Sequence, residues 1–334
     1  MLKEDGSNIA MMNNYTALVI GCGKIAGIYD DPFDASVYSH AKGYNSSKLF
    51  EKIYYCDIDI DKAKKIASIY GSEFYGDDML QMTTIFRPDV ISICTDTQHH
   101  FDNVMSILNL NYLPKLIFLE KPVCDNAEQL KLLIKLSNDK GVKIIVNHSR
   151  RFDPKMMRLR NLIAENFFGA PVKINVNYYG GWKNNGTHVI DTISYLFNRE
   201  LDYVKRGNIE NSRHLNDPTI DFHLRFKNSI VDIYINGFSE EVYQIFEFEF
   251  RFDKSRLRIE DFGSRLIYEK MLTNHMQEKV LEIGNINVEM SLLSPMENAM
   301  NIIGEYLNGN VDRINGLTIN DISKTMNFVW QNEK

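Results

Sequence analysis

The chain has 334 residues, more than one ordinary core accommodates, so two domains are expected. Its 44% hydrophobic and 25% charged composition is that of a globular protein, and 38 basic against 44 acidic residues leave a net charge of -6. That sign, with no Lys/Arg block, excludes a dedicated nucleic-acid binder; no apolar run approaches membrane-spanning length, and Met1–Ser7 show no signal-peptide core.

From the N-terminus, short apolar strands alternate with helix-period stretches. Strands are expected at Tyr15–Ile20, Lys52–Cys56, Glu73–Tyr75, Val90–Cys94, Leu116–Leu119 and Lys143–Asn147, with helices at Asp61–Tyr70, His99–Leu110 and Asn126–Lys140. Such alternation predicts a doubly wound parallel sheet with helices on both faces. The first domain is expected over residues 1–149. The four cysteines, Cys22, Cys56, Cys94 and Cys124, show no CxxC pairing and no zinc spacing, so no metal site is expected. They suit a reducing cytoplasm.

Over residues 150–334 the pattern changes. A helix at Lys155–Asn166 is followed by strands at Val172–Tyr178, Thr219–Phe226, Ile230–Asn236 and Ser255–Glu260. In Phe246-Glu247-Phe248-Glu249-Phe250-Arg251-Phe252, aromatic and charged residues alternate, the mark of a sheet covered on one face only. Helical patterns at Asn298–Leu307 and Thr318–Trp330 close the chain. The reading is a second, α+β domain on a largely antiparallel open sheet.

The first strand runs into Gly21-Cys22-Gly23-Lys24-Ile25-Ala26-Gly27, a turn suited to a dinucleotide pyrophosphate. Gly21 permits the tight turn, Gly23 the close approach of backbone to phosphate, and a helix beginning near Lys24 and Ile25 supplies N–H groups. Asp57 ends the second strand, where an acidic residue binds the adenosine ribose; its 36-residue interval from Gly21 implies an inserted loop over Tyr29–Ser46. A carboxylate there, followed by Ile58, favours NAD over NADP. The competing reading of Asp57 is a turn or helix-capping residue.

Glu120-Lys121-Pro122 directly follows the apolar run Leu116–Leu119. A lysine at the carboxyl end of a strand in this sheet points into the crevice where a nicotinamide lies. The Cys94-Thr95-Asp96-Thr97-Gln98-His99-His100 segment lines the same crevice.

Taken in order, these motifs with Arg150-Arg151-Phe152-Asp153-Pro154 and Gly186-Thr187-His188-Val189-Ile190-Asp191 resemble the glucose–fructose oxidoreductase, inositol dehydrogenase and rhizopine-catabolism family (Gfo/Idh/MocA) over nearly the whole chain. The resemblance implies a Rossmann domain and an open-sheet domain whose free face makes oligomer contacts, as a homodimer or homotetramer. It implies NAD(P)-dependent oxidation or reduction of a secondary carbinol in a sugar, cyclitol or nucleotide-sugar-like polyol. It places Lys121 between cofactor and substrate, matches His188 to the catalytic histidine, and gives Asp191 to the substrate hydroxyls. Glu120, Thr95 and His100 match cofactor-lining positions. Asn184 stands where many members carry an aspartate, and Asp96-Thr97 where Pro-Asn is common.

On this reading His188 takes the hydroxyl proton, Lys121 stabilises the developing alkoxide, and Asn184 orients the imidazole. Arg151 and Trp182 are candidate substrate contacts, with a solvated pair and plain packing as the respective alternatives. Rival functions are a nucleotide-binding sensor without turnover, an NAD-assisted dehydratase, epimerase or glycosidase, and an S-adenosylmethionine-dependent methyltransferase, which leaves Glu120-Lys121-Pro122 unexplained.

Overall fold

The computed structural model describes residues 14–31, 33–214, 216–239, 243–286 and 294–332. Met1–Ser7, and Pro32 within the inserted segment, lie outside them.

Six parallel strands form the first sheet: β1 Tyr15–Ile20, β2 Phe50–Cys56, β3 Tyr75–Gly76, β4 Val90–Ile93, β5 Leu116–Leu119 and β6 Lys143–Val146, in the order β3-β2-β1-β4-β5-β6. Every residue of β4 and β5 is buried, because helices cover both faces of a parallel sheet. Those helices are α1 His40–Ser46, α2 Ile60–Ile69, α3 Met79–Phe86, α4 Thr97–Leu108 and α5 Ala127–Lys140. The strand order reverses between β1 and β4, which opens a crevice at their carboxyl ends.

Two of these helices escape the sequence pattern. The segment read as an inserted loop holds α1, which buries His40 and Lys42 as well as Ala41, Gly43 and Tyr44 and so shows no apolar stripe. Helix α3 is short, and an Asp78 side chain caps it by accepting from Leu80 and Gln81 N–H.

After α6 Pro154–Ala164, the second sheet is built from β7 Pro171–Tyr179, β8 Leu201–Glu210, β9 Thr219–Phe226, β10 Asp232–Phe238, β11 Glu247–Phe252, β12 Ser255–Glu260, β13 Arg265–Thr273 and β14 Lys279–Ile283. Its order is β14-β13-β12-β11-β7-β10-β9-β8, and the β7–β10 pair is parallel. Phe248, Phe250 and Phe252 point into a core closed by α6 and by α7 Thr187–Phe197, while Glu247, Glu249 and Arg251 face outward. Strand β8 escapes the alternation test because it is a polar edge strand, exposed along most of its length.

The chain then returns to the first domain. Helix α8 Pro295–Leu307 buries Met296, Ala299, Met300, Ile302 and Ile303 in the core of the first sheet. Helix α9 Ile319–Gln331 packs Ile319, Ile322 and Met326 against the sheet's other face. The architecture is thus a Rossmann domain beside an open-sheet α+β domain, as the sequence predicts. No helix among the described residues is long and apolar enough to cross a membrane.

Candidate active site

The glycine loop departs in a tight turn from the end of β1. Gly21 has φ +85°, and a Cβ on it would lie 2.7 Å from the Thr95 nitrogen, so only glycine fits between loop and β4. Above Gly23 a Cβ would meet nothing within 4 Å, which leaves room for a phosphate group. Lys24–Ile28 form a single π-helical turn rather than the longer helix expected. The anion contacts are therefore loop N–H groups, without the macrodipole of a long helix behind them. Ala26 is fully buried, and Gly27 packs against Ile66, Tyr70 and Ala41, which lets the turn sit close to the sheet.

Asp57 holds the turn that its competing reading predicts, and it also faces the cleft. Its Oδ2 accepts from the Cys22 N–H at 2.7 Å and its Oδ1 from the Asp59 N–H at 2.9 Å, so it holds the glycine loop. It also lines a cleft of about 780 Å³ together with Gly21, Gly23, Thr95, Asp77 and Asn103. The donors, the open floor and the acid fit a dinucleotide. Ile58, 93% exposed, follows it, and Lys62 lines the same cleft.

His100 is not a cleft residue. At 1% exposure its ring lies between the Pro122 carbonyl, 2.7 Å from Nδ1, and the Thr95 carbonyl, 2.8 Å from Nε2. It ties the ends of β5 and β4 together and shapes the crevice from behind.

A second cavity, about 380 Å³, is lined by Ile25, Glu120, Lys121, Asn147, Ser149 and His188, so the loop, the strand ends and α7 converge there. Glu120 is anchored below it, with Oε1 2.9 Å from His40 Nε2 and accepting from the Asn147 amide. His40 continues to Ser92 and Tyr44 through contacts of 3.0 and 2.7 Å. Burial alone would raise the Glu120 carboxyl, but His40, Asn147 and Lys121 outweigh it and hold the group ionised.

Lys121 reaches across the domain boundary. Its Nζ donates to Asn184 Oδ1 at 2.8 Å, and the Asn184 amide in turn lies 3.0 Å from His214 Nε2. Asp217 accepts from the Lys183 and Asn184 N–H groups and fixes that turn. Asn184 therefore positions Lys121, and among the described residues no hydrogen bond joins it to His188. This corrects the expected role, for a reason of reach: the Asn184 side chain turns toward the ammonium. Burial lowers the Lys121 pKa, with Glu120 and Asp217 opposing and Arg150 assisting.

His188 shares the cavity with Lys121. Burial first, then Lys121, Arg150 and His148, push it well below its usual 6.5, so the imidazole is held neutral. His148 lies beneath it, ring centroids 5.8 Å apart and nearly perpendicular.

Three expected substrate contacts are spent inside the protein. Asp191 is 2% exposed and accepts from Arg151 Nε at 2.9 Å and from its NH2 at 2.8 Å. Arg151 also donates to the Gly316 carbonyl. So paired and buried, Asp191 lies away from the lining of the Lys121–His188 cavity. Trp182 is 1% exposed, packs on Phe222 and donates its indole N–H to the Val329 carbonyl. It is a core residue.

The sequence reading missed His40, Asn147, His148 and His214. Of these only Asn147 and His148 had a local signal, since they directly precede Arg150-Arg151 at the end of a crevice strand.

A Rossmann sheet, a glycine loop without side-chain obstruction and an acid at the end of β2 define a dinucleotide-binding protein. Residues 15–148 match the family model described as oxidoreductase family, NAD-binding Rossmann fold (GFO_IDH_MocA), so the first domain is a Rossmann domain of that kind. It is 30% identical over 137 residues to the inositol 2-dehydrogenase of Rhizobium meliloti, 41% of this chain and 40% of that one. The chain spans under half the length of the first curated relatives it matches. Its fold is that of a 3-ketoreductase from Actinomadura kijaniata solved with NADP, at TM-score 0.73 and 13% identity, covering 95% of this chain and 96% of that one. It is equally that of the super-repressor mutant of Gal80p from Saccharomyces cerevisiae, at TM-score 0.73 and 14% identity, covering 95% and 94%.

Proposed function

We propose that this protein is an NAD-dependent dehydrogenase or reductase acting on a secondary carbinol of a sugar, cyclitol or related polyol. One observation carries the reading: Lys121 and His188, from different domains, line one cavity adjoining the glycine loop. A nicotinamide bound there supplies hydride acceptance or donation. Lys121 donates a hydrogen bond to the carbinol oxygen and stabilises charge as it develops. His188, neutral, takes the hydroxyl proton. Glu120, locked by His40 and Asn147, holds the backbone from which Lys121 projects. Asp57 supports NAD over NADP, because a carboxylate repels a ribose phosphate, while Lys62 in the same cleft works the other way. The inositol 2-dehydrogenase likeness supports the substrate class.

The test is absorbance at the nicotinamide band with a polyol panel, after NADH binding is shown by fluorescence. Turnover of no polyol by a protein that binds NADH would overturn the enzyme reading and favour the sensor. That second reading has its own support: Asn184 supplies no carboxylate to the site, and the Gal80p repressor shares the fold.

The outward face of the second sheet supports assembly as a homodimer or homotetramer. It carries a lattice of ion pairs, including Arg256 with Glu269, Arg258 with Glu260 and His223 with Asp232. Sedimentation or scattering reads the outcome directly. The buried, unpaired cysteines support a cytoplasmic location.

A further inference from the structure

A concentration of positive charge surrounds a separate opening of about 350 Å³ in the second domain, between α6, α7 and α9. Four cations line it, Arg151, Arg160, Arg199 and Lys324, against two carboxylates, Glu200 and Asp321. On a chain of net charge -6, that local excess is against the general trend.

The pairing within the opening decides which charges are available. Arg151 is committed to Asp191 and the Gly316 carbonyl. Lys324 is paired with Glu200 at 2.5 Å, and Lys227 shares the same carboxylate. Asp321 is consumed by the start of α9, accepting from the Thr318 N–H and hydroxyl and from the Gly316 N–H. Arg160 and Arg199 remain, with no ion pair to a carboxylate among the described residues. Each is fixed by an aromatic residue: Arg160 lies 4.8 Å from the Tyr195 ring centroid and hydrogen-bonds the Tyr195 hydroxyl, and Arg199 lies 5.1 Å from the Phe226 ring centroid. A guanidinium so held keeps further N–H donors beyond that one bond and loses little entropy when an oxyanion arrives.

We propose that this opening is a binding site for a small phosphorylated metabolite, its phosphate held by the remaining N–H donors of Arg160 and by those of Arg199. The volume admits a body the size of a sugar phosphate, near the lower end of small-molecule sites. Two forked donors match phosphate oxygens bidentately, which a lysine does not. The site stands apart from the hydride-transfer reading, since it shares no residue with the cavity of Lys121 and His188.

The test uses the full chain saturated with NADH, so that the glycine loop is not free to bind phosphate. Glucose 6-phosphate and inorganic phosphate are titrated by calorimetry, with glucose as the neutral control. Saturable one-to-one binding of the phosphate compounds up to roughly 10 mM, with glucose silent, is expected. Arg199→Gln, an exposed change that leaves the fold intact, and Arg160→Gln should each weaken binding at least about tenfold, the loss of one charge-assisted bond pair. Lys121→Ala should leave it unchanged. Absence of saturable binding, undiminished binding in Arg199→Gln, or loss in Lys121→Ala would each refute the proposal. The last outcome would assign the phosphate to the catalytic cavity instead.

Discussion

The ammonium of Lys121 and the amide oxygen of Asn184 meet at 2.8 Å across the two domains, although 63 residues separate them in sequence. The contact makes a neutral amide, not a carboxylate, the immediate partner of the proposed catalytic lysine. Such a partner orients the ammonium with a dipole rather than a full negative charge, and burial lowers the lysine's pKa against the pull of Glu120 and Asp217.

Lys121→Ala should leave the fold and NADH affinity largely intact while lowering turnover by about 10²–10⁴-fold, the usual worth of a positioned proton-transfer or hydrogen-bonding group. Parallel fluorescence titration and steady-state kinetics separate the two effects. Normal turnover in the variant would rule out the assigned role.

Asn184→Asp should raise the Lys121 pKa, because a carboxylate then sits at hydrogen-bond distance from the ammonium. The limb of the pH–rate profile that reports Lys121 should move to higher pH. An unmoved limb would show that another group titrates there.

Asp57→Ala removes both the proposed ribose acceptor and the bond to the Cys22 N–H. NADH should bind about tenfold or more weakly, the worth of a hydrogen bond to a charged group. NADPH should lose less, because the repulsion of its phosphate disappears as well. Equal losses for both cofactors would contradict the assignment.

His148 has neither ring nitrogen hydrogen-bonded and is 1% exposed, with Nδ1 3.5 Å from Asp191 Oδ2. Burial, with Arg151 and Lys121 assisting and Asp191 opposing, lowers its pKa from 6.5 to about 4. Between those values the unfolded chain binds the proton and the native chain does not, so stability falls as pH drops through the window. The loss attributable to this residue is about 3 kcal/mol at most. Denaturant unfolding of His148→Phe at pH 7 and near 4 should show a correspondingly shallower decline than the parent. Glu120 and Asp191, both held low, add their own losses at still lower pH. Parallel curves for variant and parent would mean that His148 is already charged in the fold.

Arg151→Met should destabilise the protein by about 3–5 kcal/mol, since it strands the Asp191 carboxylate in the core. Adding Asp191→Leu should recover most of that loss. A simple substrate contact would instead raise KM at unchanged stability.

The alternation of short buried strands with amphipathic helices, Gly21 at the end of β1, Asp57 at the end of β2 and Lys121 after β5 were all legible in the chain. These features depend on local period and on position within a strand, which neighbouring residues encode. Partner choice was not local. Arg151 claims Asp191 from 40 residues away, and Trp182 reaches the Val329 carbonyl across 147, so two polar-looking candidates became interior structure. The same packing turned Asn184 toward Lys121 and buried His148 beneath His188. Where a side chain points is settled by which surfaces meet when the two sheets and the returning C-terminal helices close, and a linear pattern carries no record of that meeting.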